Sequence, residues 1–278
     1  MKELVSFLKD QFNFSERRAC KALDFARSTC RYSSVKEDDS ELRKRILHHA
    51  YKNLRFGYKR IYILLRREGV EVNMKKVYRI YRELGLSCRF KHRKRSTHRG
   101  KFIKPLALHH NDQWSIDFVH DETFKKRRLR FLTVVDNFTR EAPGILVDKK
   151  LKAKDVVRYL DILTEIKGTP RQIICDNGPE FISGHFKEWA SSKKIRLNFI
   201  RPGKPSDNAF IESFNSRFRE ELLNANHFDD VEDAQKKADN WIIYYNGERP
   251  HGSLSNKTPN EFKRLVRGVY MSEEQSTV

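Results

Sequence analysis

Two short apolar runs after residue 106 each carry an aspartate where we expect a buried strand to end. The first, Trp114–Val119, includes Asp117, and the second, Gln172–Cys175, is followed directly by Asp176. A third acid, Glu212, lies early in a later helix-like stretch. A buried carboxylate without a partner is costly, so three such acids together predict a site for divalent cations.

The order of elements predicted after residue 106 brings these acids together. Three strands joined by hairpins are followed by helix, strand, helix, strand and helix, which predicts an α/β layer with a mixed sheet. We expect Asp117 on the first strand and Asp176 on the fourth to lie at one end of that sheet, where sites form in open α/β folds. The 35 residues between Asp176 and Glu212 suffice for a helix, a strand and a turn.

The positive charge is concentrated in the first part of the chain. The net charge is +20, and residues 1–105 hold 29 Lys and Arg against 11 Asp and Glu, whereas residues 106–278 hold 28 against 26. Lys and Arg that neutralise phosphates release condensed counterions, so this distribution predicts a nucleic-acid partner. A membrane surface is the weaker explanation, because no amphipathic segment with a wide apolar face accompanies the charge.

The location follows from what the sequence lacks. There is no apolar run of about 18 residues and no signal-peptide pattern, so we expect a soluble intracellular protein that is not associated with a membrane. The four cysteines form no CxxC pair, which fits a reducing compartment.

Helical modules with a basic surface are predicted before the sheet. Residues 15–32 have the pattern of a short helix-turn-helix, and residues 41–88 predict three helices. In the third of these, Asn73 is placed to cap the start and Gly85 to end the helix. Its other face is typical of a DNA recognition helix, although a solvated structural face is the alternative. The predicted DNA contacts on it are Lys75, Lys76, Arg79 and Arg82.

A strongly basic segment follows these helices. Arg89–Lys104 contains eight Lys or Arg and no acid, which predicts an extended tether that contacts DNA through residues such as Arg93, Lys94 and Arg95. Cys88, His92 and His98 resemble half of a zinc site. The second cysteine at short spacing is missing, so we favour the tether.

The three acids suit Mg²⁺ or Mn²⁺, which take oxygen ligands. Two such ions would stabilise the attacking and the departing oxygen of a phosphoryl displacement. Arg219, two helical turns after Glu212, is placed to hold a DNA phosphate. Singly, each acid also has an ordinary structural explanation as a turn former, an edge residue or a helix acid. Further candidates around the site are Asn177, Glu180, Asn208 and His251, with Asn208 equally suited to cap a helix and His251 to lie in a loop.

These residues also carry a family resemblance. Trp114-Ser115-Ile116-Asp117, the run from Asp176 to Phe181, and the run from Asn208 to Phe214 followed by Arg219 resemble the D,D(35)E signature of integrase-core transposases. The stretch Tyr245–His251 is similar to the end of that core. The match is to the B-type, second-reading-frame transposases of the bacterial insertion sequence three family, and it extends from about Ser15 to about Phe262.

The resemblance implies properties that composition does not show. It implies a ribonuclease H-like fold, two magnesium ions held by Asp117, Asp176 and Glu212, cleavage of the element end by water, and attack of the freed 3′-hydroxyl on another DNA strand. It also implies double-stranded DNA as substrate, a homo-oligomer on DNA, and an upstream-frame protein that supplies another helix-turn-helix and a coiled coil. The location that it implies is the bacterial cytoplasm, in association with the nucleoid. No sustained heptad pattern occurs in this chain.

The expected architecture is an α/β ribonuclease H-like catalytic core with a mixed sheet, preceded by small all-α helix-turn-helix modules. The expected boundaries are 1–38 for the first helix-turn-helix segment, 41–88 for the second, 89–105 for the basic linker, 106–265 for the core and 266–278 for the tail. Two other functions stay open. One is a non-catalytic DNA-binding regulator, and the other is a ribonuclease H-type or junction-resolving nuclease.

Overall fold

The computed structural model describes residues 1–32, 38–87, 107–201 and 205–266, without the side chains of residues 205 and 206. The chain divides into two compact units, Met1–Arg45 and Ile46–Val278. The predicted basic linker at 89–105 and almost all of the tail lie outside the described residues. The same holds for Arg93, Lys94 and Arg95 and for the zinc alternative at Cys88, His92 and His98.

Three helices form most of the first unit. They are α1 (Lys2–Phe12), α2 (Glu16–Ala22) and α3 (Arg27–Arg31). The Ser15 hydroxyl accepts a hydrogen bond from the Arg18 N–H and so caps α2. Val5 of α1 packs with Ala19 and Cys20 of α2. The sequence predicted helices only within 15–32, so α1 is an additional element that covers them.

The three helices predicted for residues 41–88 are confirmed. They are α4 (Ser40–Lys52), which begins in the first unit and ends in the second, α5 (Tyr58–Arg67) and α6 (Met74–Glu83). The Asn73 carboxamide accepts from the Lys75 N–H at 2.9 Å and caps α6 as predicted. Gly85 has a φ of +68° just beyond the helix, a conformation that glycine adopts at little cost.

A five-stranded mixed sheet forms the centre of the second unit. Its strands are β1 (Gln113–Glu122), β2 (Arg128–Asp136), β3 (Gly144–Asp148), β4 (Gln172–Cys175) and β5 (Arg196–Phe199). The order across the sheet is β3-β2-β1-β4-β5. β1, β2 and β3 pair antiparallel, while β4 is parallel to both β1 and β5. The predicted mixed sheet is confirmed.

Helices cover both faces of the sheet because its strands are apolar on both sides. Side chains alternate between faces along a strand. Trp114 and Ile116 pack on one face, in a cluster that includes residues of α7 (Ala153–Lys167), α8 (Pro179–Ile182) and α9 (Gly184–Ser192). Val119 packs on the other, with residues of α10 (Ala209–Glu221) and α11 (Val231–Gly247). Within the described ranges, none of the helices combines the length and apolar character that a membrane span needs.

The position of Asp117 differs from the prediction that it ends a strand. β1 continues five residues beyond it to Glu122. The parallel pairing with β4, however, involves only Gln113, Trp114 and Ser115. Asp117 therefore lies within a strand, at the point where one edge of that strand loses its partner.

Candidate active site

The register of β1 and β4 places the two aspartates side by side. Ser115 pairs with Ile174, so Asp117 and Asp176 each come two residues further along parallel strands. β4 ends at Cys175, and Asp176 begins the turn into α8. The prediction that both aspartates lie at one end of adjacent parallel strands therefore agrees with the observed register.

Asp117 is held by three groups from different elements. Its Oδ1 accepts from the Phe118 N–H at 2.8 Å, and its Oδ2 accepts from the Asn215 carboxamide at 2.8 Å. Thr133 of β2 donates to the Asn215 Oδ1 at 2.8 Å and to the Asp117 carbonyl at 3.1 Å. Asn215 thus links the α10 helix to the carboxylate of β1. Both Asp117 oxygens keep lone pairs for a further interaction.

The three acids influence one another electrostatically. Burial raises the pKa of Asp117 to about 6, and the negative charges of Asp176 and Glu212 contribute in the same direction. The hydrogen bonds from Phe118 and Asn215 act against this shift. Asp117 is therefore a partly buried carboxyl in a locally negative field, which a bound cation would neutralise.

Asp176 and Glu212 are less constrained. The Asp176 Oδ1 accepts from the Gly178 N–H at 3.0 Å, and this turn leads directly into α8. Glu212 lies exposed in the first turn of α10, one turn before Asn215. Within the described residues, no three His, Cys, Asp or Glu side chains are close enough together to ligate one metal ion. The donors suit a hard divalent cation by their chemistry, and ligation by all three requires a closer approach of their side chains.

The four predicted surrounding residues have different environments. Asn177 donates to the Ile200 carbonyl at 2.9 Å and so joins the Asp176 turn to the end of β5. Glu180 of α8 forms an ion pair with Arg130 of β2, which lowers the pKa of Glu180. The Arg130 guanidinium also lies 3.6 Å from the centre of the Phe118 ring.

Asn208 and His251 are both buried. Asn208 occupies the N-cap position of α10, as its alternative explanation predicted, but its side chain makes no capping hydrogen bond. The Asn208 carboxamide donates instead to the Ile116 carbonyl at 3.4 Å. The His251 ring packs edge-on against Tyr245, with centroids 4.6 Å apart. Burial, with a contribution from the Arg249 charge, lowers the pKa of His251 to about 3. The ring is therefore neutral at physiological pH and forms part of the packing of the core.

Those predicted DNA-contacting residues that the structure describes lie on two helices. On α6, Lys75, Arg79 and Arg82 are exposed and Lys76 is half-buried, while Val77 and Ile80 face inward. This amphipathic arrangement was predicted, and their contact with DNA stays a prediction. The exposed Arg219 of α10 donates to the His120 carbonyl at 2.9 Å.

Sequence reasoning missed Asn215, Thr133, Arg130 and His120. Asn215 had one available signal: it lies three residues after Glu212, so both side chains fall on neighbouring positions of one helix face. The other three belong to β1 and β2, and their proximity depends on strand register, which the sequence did not reveal.

Comparison with known proteins connects this site to a family. Two family models described as integrase core domains match residues 107–205 and 193–259, and one described as an HTH-like domain matches residues 36–95. The chain is 39% identical over 268 residues to an uncharacterised 31.7 kDa protein of insertion element IS407 from Burkholderia multivorans, covering 95% of this chain and 96% of the relative. It is 28% identical to the transposase of insertion sequence element IS904 from Lactococcus lactis, covering 78% and 90%.

A solved structure supports the fold. A chain of the simian T-cell lymphotropic virus intasome, in complex with the PP2A regulatory subunit B56 gamma, matches with a TM-score of 0.51 and 18% identity. The match covers 78% of this chain and 73% of that chain. The predicted ribonuclease H-like core and its preceding helical module are confirmed by this match and by the HTH-like family model.

Proposed function

The chain belongs to the transposases of the bacterial insertion sequence three family, which have an integrase core, and we propose that it cleaves DNA at element ends and joins the freed 3′-hydroxyl to another strand. The observation that carries this proposal is the side-by-side placement of Asp117 and Asp176. The negative charge of Glu212 also raises the pKa of Asp117, so the third acid acts on the same site.

The proposed reaction consists of two displacements at phosphorus. In the first, a water oxygen bonds to phosphorus at the element end while the bond to the 3′-oxygen breaks, leaving a 3′-hydroxyl and a 5′-phosphate. In the second, that 3′-hydroxyl oxygen bonds to a phosphorus of another strand and displaces its 3′-oxygen. The first step converts a phosphodiester to a phosphomonoester, and the second forms a new phosphodiester as it breaks another. In each step the attacking oxygen loses a proton and the displaced 3′-oxygen gains one, so no covalent enzyme intermediate is needed.

Asp117, Asp176 and Glu212 would hold two Mg²⁺ or Mn²⁺ ions, which supply charge stabilisation to the attacking and departing oxygens. Protein groups would perform the remaining tasks, which are to orient the carboxylates and to bind DNA. Asn215 and the Phe118 N–H fix the orientation of the Asp117 carboxylate. Arg219 and the basic face of α6, with Arg93, Lys94 and Arg95, bind DNA phosphates and position the reacting strand.

The proposal extends to organisation and partners. We propose the division into 1–38, 41–88, 89–105, 106–265 and 266–278, with DNA affinity resting mainly on the first three segments because they hold most of the excess charge. The substrates are double-stranded element ends and target DNA in the bacterial nucleoid. A homo-oligomer assembles on them, and an upstream-frame protein takes part.

The test replaces each acid by its amide in the full chain: Asp117→Asn, Asp176→Asn and Glu212→Gln. We expect each change to abolish strand transfer of labelled element ends with magnesium while leaving DNA affinity nearly unchanged. Glu188→Gln, an exposed acid on α9, is the matched control and should retain full activity. Joining by any of the three variants would contradict the assignment.

Two further readouts separate the alternatives. Saturating magnesium should raise the melting temperature of the parent chain by mass action and have less effect on the Asp117→Asn variant. A parent chain that binds ends without cleaving them would indicate a regulator. Cleavage that never leads to joining, with or without the upstream-frame protein, would indicate a nuclease.

A further inference from the structure

The second half of β1 has an open edge whose backbone groups are occupied by side chains. Among the described residues, this edge has no strand partner beyond Ser115. The Phe118 N–H donates to the Asp117 carboxylate, the His120 carbonyl accepts from Arg219, and the Glu122 N–H donates to the Asp121 carboxylate at 2.8 Å. These three bonds compete with the pairing that addition of another strand would require. Side chains are therefore the groups that this edge offers to a partner.

Arginines gather around this edge. His120 lies among Arg128, Arg130 and Arg219, and its pKa is lowered by burial and then by those three charges. Arg130 is paired with Glu180. Arg128 is exposed and, within the described part of the chain, has no carboxylate at ion-pair distance. The edge therefore presents a positive surface that leads away from Asp117.

Further cations lie at the hairpin tip, defined here as residues 123–128, which comprise the turn between β1 and β2 and the first residue of β2. Lys125, Arg127 and Arg128 are exposed, and among the described residues no acid forms an ion pair with them. A cavity of about 250 Å³ beside the hairpin tip is lined by Arg127 and Arg128 and also by the acids Asp229, Asp230 and Glu232. None of these acids is within ion-pair distance of the three cations. The three cations are thus available to an anionic partner.

The hairpin tip is also ordered. The Thr123 N–H donates to the Arg127 carbonyl at 2.8 Å, and the Phe124 N–H donates to the Phe228 carbonyl at 2.7 Å. Phe124 is nevertheless 72% exposed, and its ring contacts only the edge of His227 among the aromatic rings described. An exposed aromatic ring on a fixed basic hairpin suits base stacking, because every base offers an apolar face.

The distance from Asp117 to the hairpin tip corresponds to several base pairs of duplex DNA. Six residues of extended strand separate Asp117 from Thr123, which is about 20 Å. Duplex DNA rises about 3.4 Å per base pair, so the hairpin tip lies about six base pairs from a phosphate held at Asp117. Arg219, at His120, lies between the two points.

We propose that the hairpin tip is a DNA-binding surface of the core, in which Lys125, Arg127 and Arg128 hold backbone phosphates about six base pairs from the reacting one and Phe124 stacks on an unpaired base. This rests on the proposed function, since it takes the DNA path from the position of Asp117. It adds a contact that the basic N-terminal part of the chain does not supply.

The first test measures DNA affinity of the full chain against salt concentration for Lys125→Ala/Arg127→Ala/Arg128→Ala. Loss of three phosphate contacts should reduce the slope of log affinity against log salt by about 2 to 3. The control, Lys154→Ala/Lys187→Ala/Lys236→Ala, removes three exposed charges from α7, α9 and α11 and should leave the slope unchanged. Equal slopes for the two variants would overturn the proposal.

The second test uses Phe124→Leu, which keeps an apolar side chain but removes the ring. We expect about tenfold weaker binding to a duplex with a single-stranded end and unchanged binding to a blunt duplex. Equal affinity for both DNAs in variant and parent would overturn the stacking role. All substituted side chains are exposed, so folding should be retained, and thermal melting checks this.

The two proposals fail differently. If the parent chain joins element ends and the triple hairpin variant binds and joins equally well, the hairpin proposal alone is overturned. If the parent chain never cleaves or joins, the proposed function is overturned, and the salt slopes still decide whether the hairpin tip binds DNA.

Discussion

The Asp117 carboxyl is in an environment that disfavours its charge. Its pKa is raised from an ordinary 3.8 to about 6, first by burial. The folded state therefore binds this proton more tightly than the unfolded state does. Ionisation of Asp117 therefore costs stability in full above about pH 6. This cost shrinks as the pH falls from 6 toward 3.8, and it vanishes below the unfolded pKa of 3.8, where both states are protonated.

This predicts a pH-dependent effect of Asp117→Asn on stability. Measured in a chelator, the melting temperature of the variant relative to the parent should rise by about 2 to 6 °C between pH 4.5 and pH 7.5. Because only the change with pH is compared, the constant cost of the altered hydrogen bond with Asn215 cancels. A melting-temperature difference that does not change with pH over this range would show that ionisation of Asp117 does not destabilise the fold.

At the level of elements, α8 is held to the sheet by an ion pair and by the packing of Phe181. Glu180 and Arg130 retain 15% and 21% side-chain exposure, so the pair is largely shielded from water. Phe118 packs between the Arg130 guanidinium and the Phe181 ring, which is stacked on it at 5.0 Å. The short helix that follows Asp176 is thereby fixed against β1 and β2.

We therefore predict that Glu180→Ala lowers the free energy of unfolding by about 1 to 3 kcal/mol, because it leaves the Arg130 charge without a partner. Chemical denaturation measures this. Glu188→Ala, on the exposed side of α9, should change stability by less than about 0.5 kcal/mol. Loss of joining activity with unchanged stability would instead support a role for Glu180 beside the reacting DNA.

At the level of the whole molecule, the helix-turn-helix region of the second unit contacts the core through polar groups. Arg67 of α5 donates to the Glu261 carboxylate at 2.7 Å and to the Asn256 carbonyl at 2.9 Å. Lys52 pairs with Glu248 at 2.9 Å. Such exposed pairs contribute little stability each, so they define an orientation more than they strengthen the junction.

A buried ion pair lies under this junction. Arg249 makes a bidentate contact with Glu221, at 2.7 and 2.8 Å, and both side chains are less than a tenth exposed. Arg60 of α5 approaches the same carboxylate at 3.6 Å. Glu221 thus joins the end of α10, the segment after α11 and the helix-turn-helix region.

We predict that Glu221→Gln lowers the free energy of unfolding by about 3 to 5 kcal/mol, since it leaves a buried arginine uncompensated. Adding Arg249→Met should restore part of the loss. Glu220→Gln provides the matched control, because the Arg217–Glu220 pair is exposed and its loss should cost less than about 1 kcal/mol. Equal destabilisation by the two glutamine variants would refute the central role of Glu221.

The periodic segments of this chain were predictable because their patterns are local. Asn73 and Gly85 delimit α6 through interactions within a few residues, and the strand and helix order after residue 106 follows from short apolar runs and turns. That order also sufficed to anticipate that Asp117 and Asp176 lie near each other, Asp117 on β1 and Asp176 directly after its parallel neighbour β4. The charge difference between the two parts of the chain needs no structure at all.

What the tertiary structure decided depends on register and side-chain direction between distant segments. The sequence did not reveal that Asn215 donates a hydrogen bond to Asp117, that Glu180 forms an ion pair with Arg130, or that His251 is buried against Tyr245. Residues separated by 98 positions, as Asp117 and Asn215 are, meet only when the sheet and α10 have packed. The sequence by itself determined which acids and cations are present and in what order, whereas packing of the sheet and helices decided which of them face one another.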